Sequence, residues 1–168
     1  YAQHASDYGV KIDGSVNPDL AEMVKRSRGV ADTMSNGVQY LLKKNKVEVI
    51  AGTGKILKDK KVEVTDQKGK KTIYSADSII IATGARSREL PNLKQDGKKI
   101  IGYREAMVLD KIPKSMVVVG SGAIGSEFAY FFNTIGVDVT LVEFMPNIIP
   151  LEDEEVSNML LSIILENH

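Results

Sequence analysis

The stretch Met116-Val117-Val118-Val119-Gly120-Ser121-Gly122-Ala123-Ile124-Gly125 constrains this chain more than any other. An apolar run without a polar break leads straight into three closely spaced glycines. The run predicts a strand buried on both faces. Ile124, Phe128, Phe131, Phe132 and Ile135 then recur at helical spacing, and Gly136 is placed to end that helix. Val137 to Val142 predicts the next strand, with the acid Glu143 at its end. Strand, glycine turn, helix and strand make a βαβ unit.

Each glycine answers a separate physical demand. Gly120 permits the tight turn out of the strand. Gly122 leaves the backbone bare, so a charged group can approach it. Gly125 lets the helix pack closely on the sheet, and small Ala129, four residues later, serves the same packing. A helix N-terminus offers unpaired N–H donors and a positive partial charge, which together suit a pyrophosphate. Glu143 lies 21 positions after Gly122, where an acid can accept hydrogen bonds from the adenosine ribose hydroxyls. It would repel a 2′-phosphate, so NAD(H) is expected over NADP(H). The competing readings are a glycine-rich turn that binds nothing and a solvated acid at a strand end.

The bulk composition narrows the partners. Lys plus Arg and Asp plus Glu number 22 each, so the formal charge is zero and no basic surplus points to nucleic acid. The lysine-rich stretches Lys43–Lys46, Lys58–Lys61 and Lys68–Lys71 fall between apolar runs and read as solvated loop tips. The absence of cysteine excludes a disulfide or thiolate metal site within the chain. It favours a reducing compartment, so the cytoplasm, or the mitochondrial matrix of a eukaryote, is expected. No apolar run reaches the length of a membrane span. The acids Glu152-Asp153-Glu154-Glu155 match a helix N-terminus rather than a metal site, because consecutive helical residues point in different directions. No metal is expected.

The remaining chain reads as a helix, a β-meander and a connection. Asn17-Pro18-Asp19 predicts a helix start with Asn17 at the cap, and apolar positions carry the helix to about Lys44. Val47–Ile50, Lys55–Leu57, Lys61–Val64 and Lys71–Tyr74 predict short strands, with a turn at Asp66–Gly69. Ser78-Ile79-Ile80-Ile81-Ala82 predicts a second strand buried on both faces, halted at Thr83-Gly84. Residues 85–114 connect, with one short helical stretch near Arg104–Leu109. The last helix opens at Glu152–Glu155 and is unusually apolar from Met159 to Leu165.

The segments Ile79-Ile80-Ile81-Ala82-Thr83-Gly84-Ala85 and Pro113-Lys114-Ser115-Met116 through Ala129, with the Gly52-Thr53-Gly54 turn, closely resemble the middle of the dihydrolipoamide dehydrogenase family. These are flavoprotein disulfide reductases with two dinucleotide-binding domains. The resemblance covers residues 1 to about 156, and residues after Val156 depart from it. It implies an α/β fold of FAD/NAD Rossmann-like domains, here incomplete: a three-layer parallel-sheet unit plus a β-meander. Residues 1–112 would belong to the FAD domain and 113–168 to the first part of the NAD domain. Thr83, Gly84 and Ala85 would lie against FAD, and Gly52 or Gly54 would touch its adenosine side. Gly120, Ser121, Gly122, Ala123, Ile124, Gly125 and Glu143 would hold NAD. Ile124 would sit near the nicotinamide, and Glu127 resembles the family acid that pairs with a flavin-side lysine.

By the same resemblance, the parent would oxidise dihydrolipoamide through a disulfide and FAD to NAD+, serve a 2-oxoacid dehydrogenase complex and form a homodimer. The redox Cys-x4-Cys pair, the first FAD glycine motif, the flavin-side lysine and the His-Glu acid/base pair have no counterpart here, so no catalytic residue is expected within the chain. Neither His4 nor His168 matches the family histidine; His4 is expected to be exposed. Tyr1-Ala2-Gln3-His4 reads like the middle of a helix, which suggests a fragment or a processed chain. Two other readings remain open: another NAD-linked flavoprotein disulfide reductase or transhydrogenase, and a noncatalytic nucleotide-binding module.

Overall fold

The computed structural model describes residues 5–166; Tyr1–His4 and Asn167–His168, with the expectations placed on His4 and His168, lie outside the described residues. The described chain divides into two compact units, Arg26–Leu90 and the rest.

Helix α1 (Leu20–Lys44) runs uninterrupted through Gly29 and Gly37. Its cap is Asp19, whose Oδ1 accepts the Glu22 N–H at 3.1 Å. Asn17, expected at that place, instead donates to Ser15 Oγ at 3.1 Å. The helix start therefore moves two residues along, because the aspartate reaches the N–H three residues on.

In the unit Arg26–Leu90, strands β1 (Thr53–Leu57), β2 (Lys61–Thr65) and β3 (Lys71–Ser75) form an antiparallel meander in the order β1-β2-β3. Alternation gathers Ile56, Val62, Val64 and Tyr74 on one face. The β2–β3 turn is tied by Asp66 Oδ1, which accepts the Lys68 and Lys70 N–H groups at 2.8 and 2.9 Å. Gly69 there takes a φ of 81°, open to glycine at little cost. The three lysine-rich stretches are exposed; two lie at the turns of the meander, whereas Lys43 and Lys44 form the last turn of α1 rather than a loop tip.

Two expected strands do not form. Val47–Ile50 and Ser78–Ala82 are irregular, and Ile80 and Ile81 are 90% and 68% exposed. A strand is defined by its ladder partner, and no strand among the described residues pairs with either segment.

In the other unit, β4 (Ser115–Val119) and β5 (Asp138–Val142) pair in parallel, with Val118 opposite Leu141. Helix α3 (Ala123–Thr134) links them and packs on both. A short helix, α2 (Tyr103–Ala106), precedes the pair, near its expected position. Helix α4 (Glu154–Glu166) comes after β5, with Glu154 and Glu155 in its first turn. The core lies under α3, where Phe132 is fully buried beside Ala129 and Val137. Phe131 packs edge-on against Phe132, 5.2 Å between centroids.

The end of α3 shows how sequence sets this packing. Gly136 has a φ of 94°, its N–H donates to the Asn133 carbonyl, and the Val137 N–H donates to the Phe132 carbonyl. This is the paired-bond glycine stop of a helix, and the two residues its longer bond joins, Phe132 and Val137, are both buried. It turns the chain directly into β5.

The expectation that β4 is buried on both faces is corrected. Met116 and Val118 are half-buried, whereas Val117 is 64% exposed and Val119 is exposed as well. Helix α3 covers one face of the two-stranded sheet; on the other, alternate side chains of β4 and β5 stand open.

Candidate nucleotide-binding site

The glycine turn leaves β4 through Gly120, whose φ of 100° suits glycine and whose N–H donates to the Val142 carbonyl at 2.8 Å. That bond carries the β4–β5 ladder one residue into the turn. Gly122 caps α3 with extended backbone and no side-chain hydrogen bond. The first N–H groups of a helix lack intrahelical acceptors, so they are left to a ligand. A Cβ on Gly122 would meet nothing within 4 Å, so the space before the helix end is open. A Cβ on Gly125 would run into the Gly120 carbonyl oxygen and approach Val118 Cγ1 at 3.5 Å. The third glycine is thus required for helix and turn to touch.

Glu143 lies just past β5 and folds back onto the turn. Its Oε2 accepts the Ser121 N–H at 2.7 Å and the Ser121 hydroxyl at 2.8 Å. Its Oε1 accepts the Phe144 and Met145 N–H groups at 2.8 and 2.9 Å. The Met145 N–H is the largest cause, ahead of the two Ser121 donors, of a carboxyl group lowered from 4.5 to about 2. Hydrogen bonds donated to the ionised form favour it. Glu143 is therefore a fixed anion at the strand end.

Ser121 is the hub of this arrangement and is fully buried. Besides its two bonds to Glu143, its carbonyl accepts the Ser126 hydroxyl at 2.9 Å and the Ile149 N–H at 3.0 Å. Ile149 N also lies 3.2 Å from Ser121 Oγ. Ser126 and Ile149 were not among the expected site residues. Ser126 carries a readable signal: a polar residue on the apolar face of a helix needs a buried partner. The Ile149 contact carries none, because it depends on how the chain returns after β5.

Of the other expected residues, Ala123, Ile124 and Glu127 are exposed on the first turns of α3. The turn, the uncapped helix start at Gly122 and the Glu143 carboxylate thus lie together beside open space at the ends of β4 and β5. The residues expected at FAD are different. A Cβ on Gly52 would lie 2.5 Å from the Thr65 carbonyl oxygen, so this glycine is needed where the chain passes β2. Gly54 sits within β1 opposite Val64. Thr83, Gly84 and Ala85 are exposed along an irregular segment. These residues form no enclosed cradle for a flavin among the described residues.

A βαβ unit with a bare glycine turn and a terminal acid defines a dinucleotide-binding Rossmann-type module. Similarity to known proteins narrows the class. Residues 4–168 match the model of the pyridine nucleotide-disulphide oxidoreductase family, and the chain belongs to that family. The match extends past Val156 and takes in the apolar last helix, which the sequence pattern had set apart. The chain is 49% identical to a dihydrolipoyl dehydrogenase of Chlorobaculum tepidum, over 95% of the chain and 34% of the relative. It is 45% identical to that of Rhizobium etli, over 94% and 36%. The crystal structure of LpdA from Mycobacterium tuberculosis superposes with a TM-score of 0.84 at 29% identity, covering 98% of this chain and 36% of that one. The chain spans about a third of the length of the curated relatives it matches. No helix among the described residues is long and apolar enough to cross a membrane.

Proposed function

We propose that this chain is the central portion of a dihydrolipoyl dehydrogenase. Residues 113–168 are read as the first part of its NAD(H)-binding domain and residues 1–112 as part of its FAD-binding domain. The reaction is dihydrolipoamide plus NAD+ giving lipoamide, NADH and a proton. The observation that carries the nucleotide half of this reading is the bare helix end at Gly122 beside the ionised Glu143. Relatives that share nearly half of the chain's residues and bear that name support the substrate. The flavin contacts of Gly52, Gly54, Thr83, Gly84 and Ala85, the lipoyl-domain partner and the homodimer rest on those relatives alone.

When bound, NAD+ supplies the hydride acceptor. The chain's own residues bind and orient it. The uncapped N–H groups at the start of α3 draw the pyrophosphate by hydrogen bonding and by the helix dipole. Glu143 accepts the adenosine ribose hydroxyls and repels a 2′-phosphate by like charge. Ile124, exposed on the first turn, offers an apolar surface beside the nicotinamide. Glu127, one turn on, is free to face a cation outside this chain. The chain holds no cysteine, so the redox disulfide must come from elsewhere in the parent protein.

Isothermal titration of the chain with NADH and NADPH tests the reading. NADH should bind more tightly than NADPH, and Glu143→Ala should weaken NADH about tenfold, the worth of a hydrogen bond to a charged group, while NADPH changes about twofold or less. Equal loss for both nucleotides would remove the ribose role. The 168 residues alone should give no NADH from dihydrolipoamide; turnover would show that the disulfide is dispensable and overturn the assignment.

A further inference from the structure

Glu143 has four protein donors, and they differ in one respect. The Phe144 and Met145 N–H groups belong to exposed residues, where water or a ligand hydroxyl can exchange with them. The two donors on Oε2 belong to Ser121, which is fully buried. No ligand can reach that side chain directly. A carboxylate offers about four lone-pair sites, so an incoming ribose must share Oε1 or displace its exposed donors. The bonds to Ser121, on the buried side, are the ones a ribose cannot displace directly.

We propose that Ser121 is a positioning residue for the ribose subsite: its hydroxyl and N–H anchor Glu143 Oε2 from the buried side, so that the carboxylate presents a fixed edge to the adenosine ribose. This rests on the nucleotide reading above and adds a residue that acts through Glu143. The hydroxyl is itself aligned, because the Ile149 N–H approaches Ser121 Oγ at 3.2 Å and leaves its hydrogen to point at Glu143. The Ser126 hydroxyl and Ile149 N–H on the Ser121 carbonyl hold the backbone that carries it. The consequence concerns specificity as well as affinity. With the hydroxyl removed, one N–H still holds Oε2, and once a ribose has displaced the exposed donors on Oε1 the carboxylate can swing about that single bond. A swinging carboxylate reads a ribose hydroxyl poorly.

The test compares NADH with its analogue lacking the adenosine 2′-hydroxyl, by titration calorimetry on the full 168-residue chain. The wild type should bind the deoxy analogue about tenfold more weakly, the scale of one hydrogen bond to a charged group. In Ser121→Ala that gap should shrink to about twofold, with most of the loss on NADH. A serine that merely shapes the loop would weaken both ligands by the same factor, and an intact tenfold gap in the variant overturns the proposal. Ser121→Cys, close in size but with a weak donor, keeps the question answerable if the alanine variant does not fold; it should shrink the gap as well. A wild type that binds NADH without regard to the 2′-hydroxyl also overturns the proposal. A wild type that binds neither ligand strikes instead at the nucleotide reading, and the proposal falls with it.

Discussion

Two apolar runs of nearly the same character, Met116–Val119 and Ile79–Ala82, have opposite fates. The first is a strand, with Met116 and Val118 tucked beneath α3. The second is irregular, with Ile80 almost fully exposed. The difference lies in what each run finds among the described residues. After Val119 the glycine turn and α3 return the chain through Gly136 to β5, which supplies a parallel ladder and a helical cover in a single unit. For Ile79–Ala82 the described residues supply neither. An apolar run states a demand for burial, and only a partner in space satisfies it.

That contrast can be broken or sharpened by substitution. The largest effect should come from Val118→Asp, which places a charge under α3 and should cost about 3 kcal/mol or more of stability, read by urea denaturation. A loss below about 1 kcal/mol would mean that α3 does not cover β4. Gly125→Ala comes next. Its methyl would collide with the Gly120 carbonyl, so the turn must open, at a cost of about 1–3 kcal/mol and with NADH binding lost. Unchanged NADH affinity in that variant would detach the turn from the nucleotide.

Gly52→Ala should cost a similar or slightly smaller amount, about 1–2 kcal/mol, because Thr65 and Val64 of β2 stand where its methyl must go. Its NADH affinity should stay within about twofold, since no expected NAD residue lies in that unit; a large change would link the meander to the nucleotide site. The smallest effect should be that of Ile80→Asp, within about 0.5 kcal/mol, as for other exposed positions. A larger loss would show that Ile79–Ala82 is covered after all.

Acid offers a separate probe of the ordered region. The Glu143 carboxyl is lowered from 4.5 to about 2 in the folded chain. Its contribution to stability is therefore complete above the unfolded value near 4.5 and is lost as pH falls through about 2. Denaturation midpoints measured from neutral pH down into that window should fall with acid. Glu143→Gln should flatten part of the slope, and an unchanged slope would contradict the bonds from Ser121, Phe144 and Met145.

Much of the site was legible because its demands are local. A positive φ at Gly120, a bare helix start at Gly122 and a close approach at Gly125 each favour glycine, so residue type and spacing report the geometry. The stop at Gly136 is legible for the same reason. The helix cap was misplaced by two residues because Asn17 and Asp19 are equally good caps in isolation, and only the bond to Glu22 separates them. The strands at 47–50 and 78–82 were misread because alternation and apolarity describe a side chain's preference and leave the ladder partner unnamed.

The sequence by itself determined the βαβ unit, the helix that carries it and the acid at its end, since all of these arise from turn chemistry and hydrophobic period within about thirty residues. Only the tertiary structure decided that Glu143 bends back onto Ser121, that Ser121 is buried and already hydrogen-bonded through side chain and backbone, and that Ile149 closes over it. Those contacts join residues 22 and 28 positions apart. No period or motif encodes them. They exist because the β4–β5 pairing brings two strand ends side by side, and a buried polar group takes the partner it finds there.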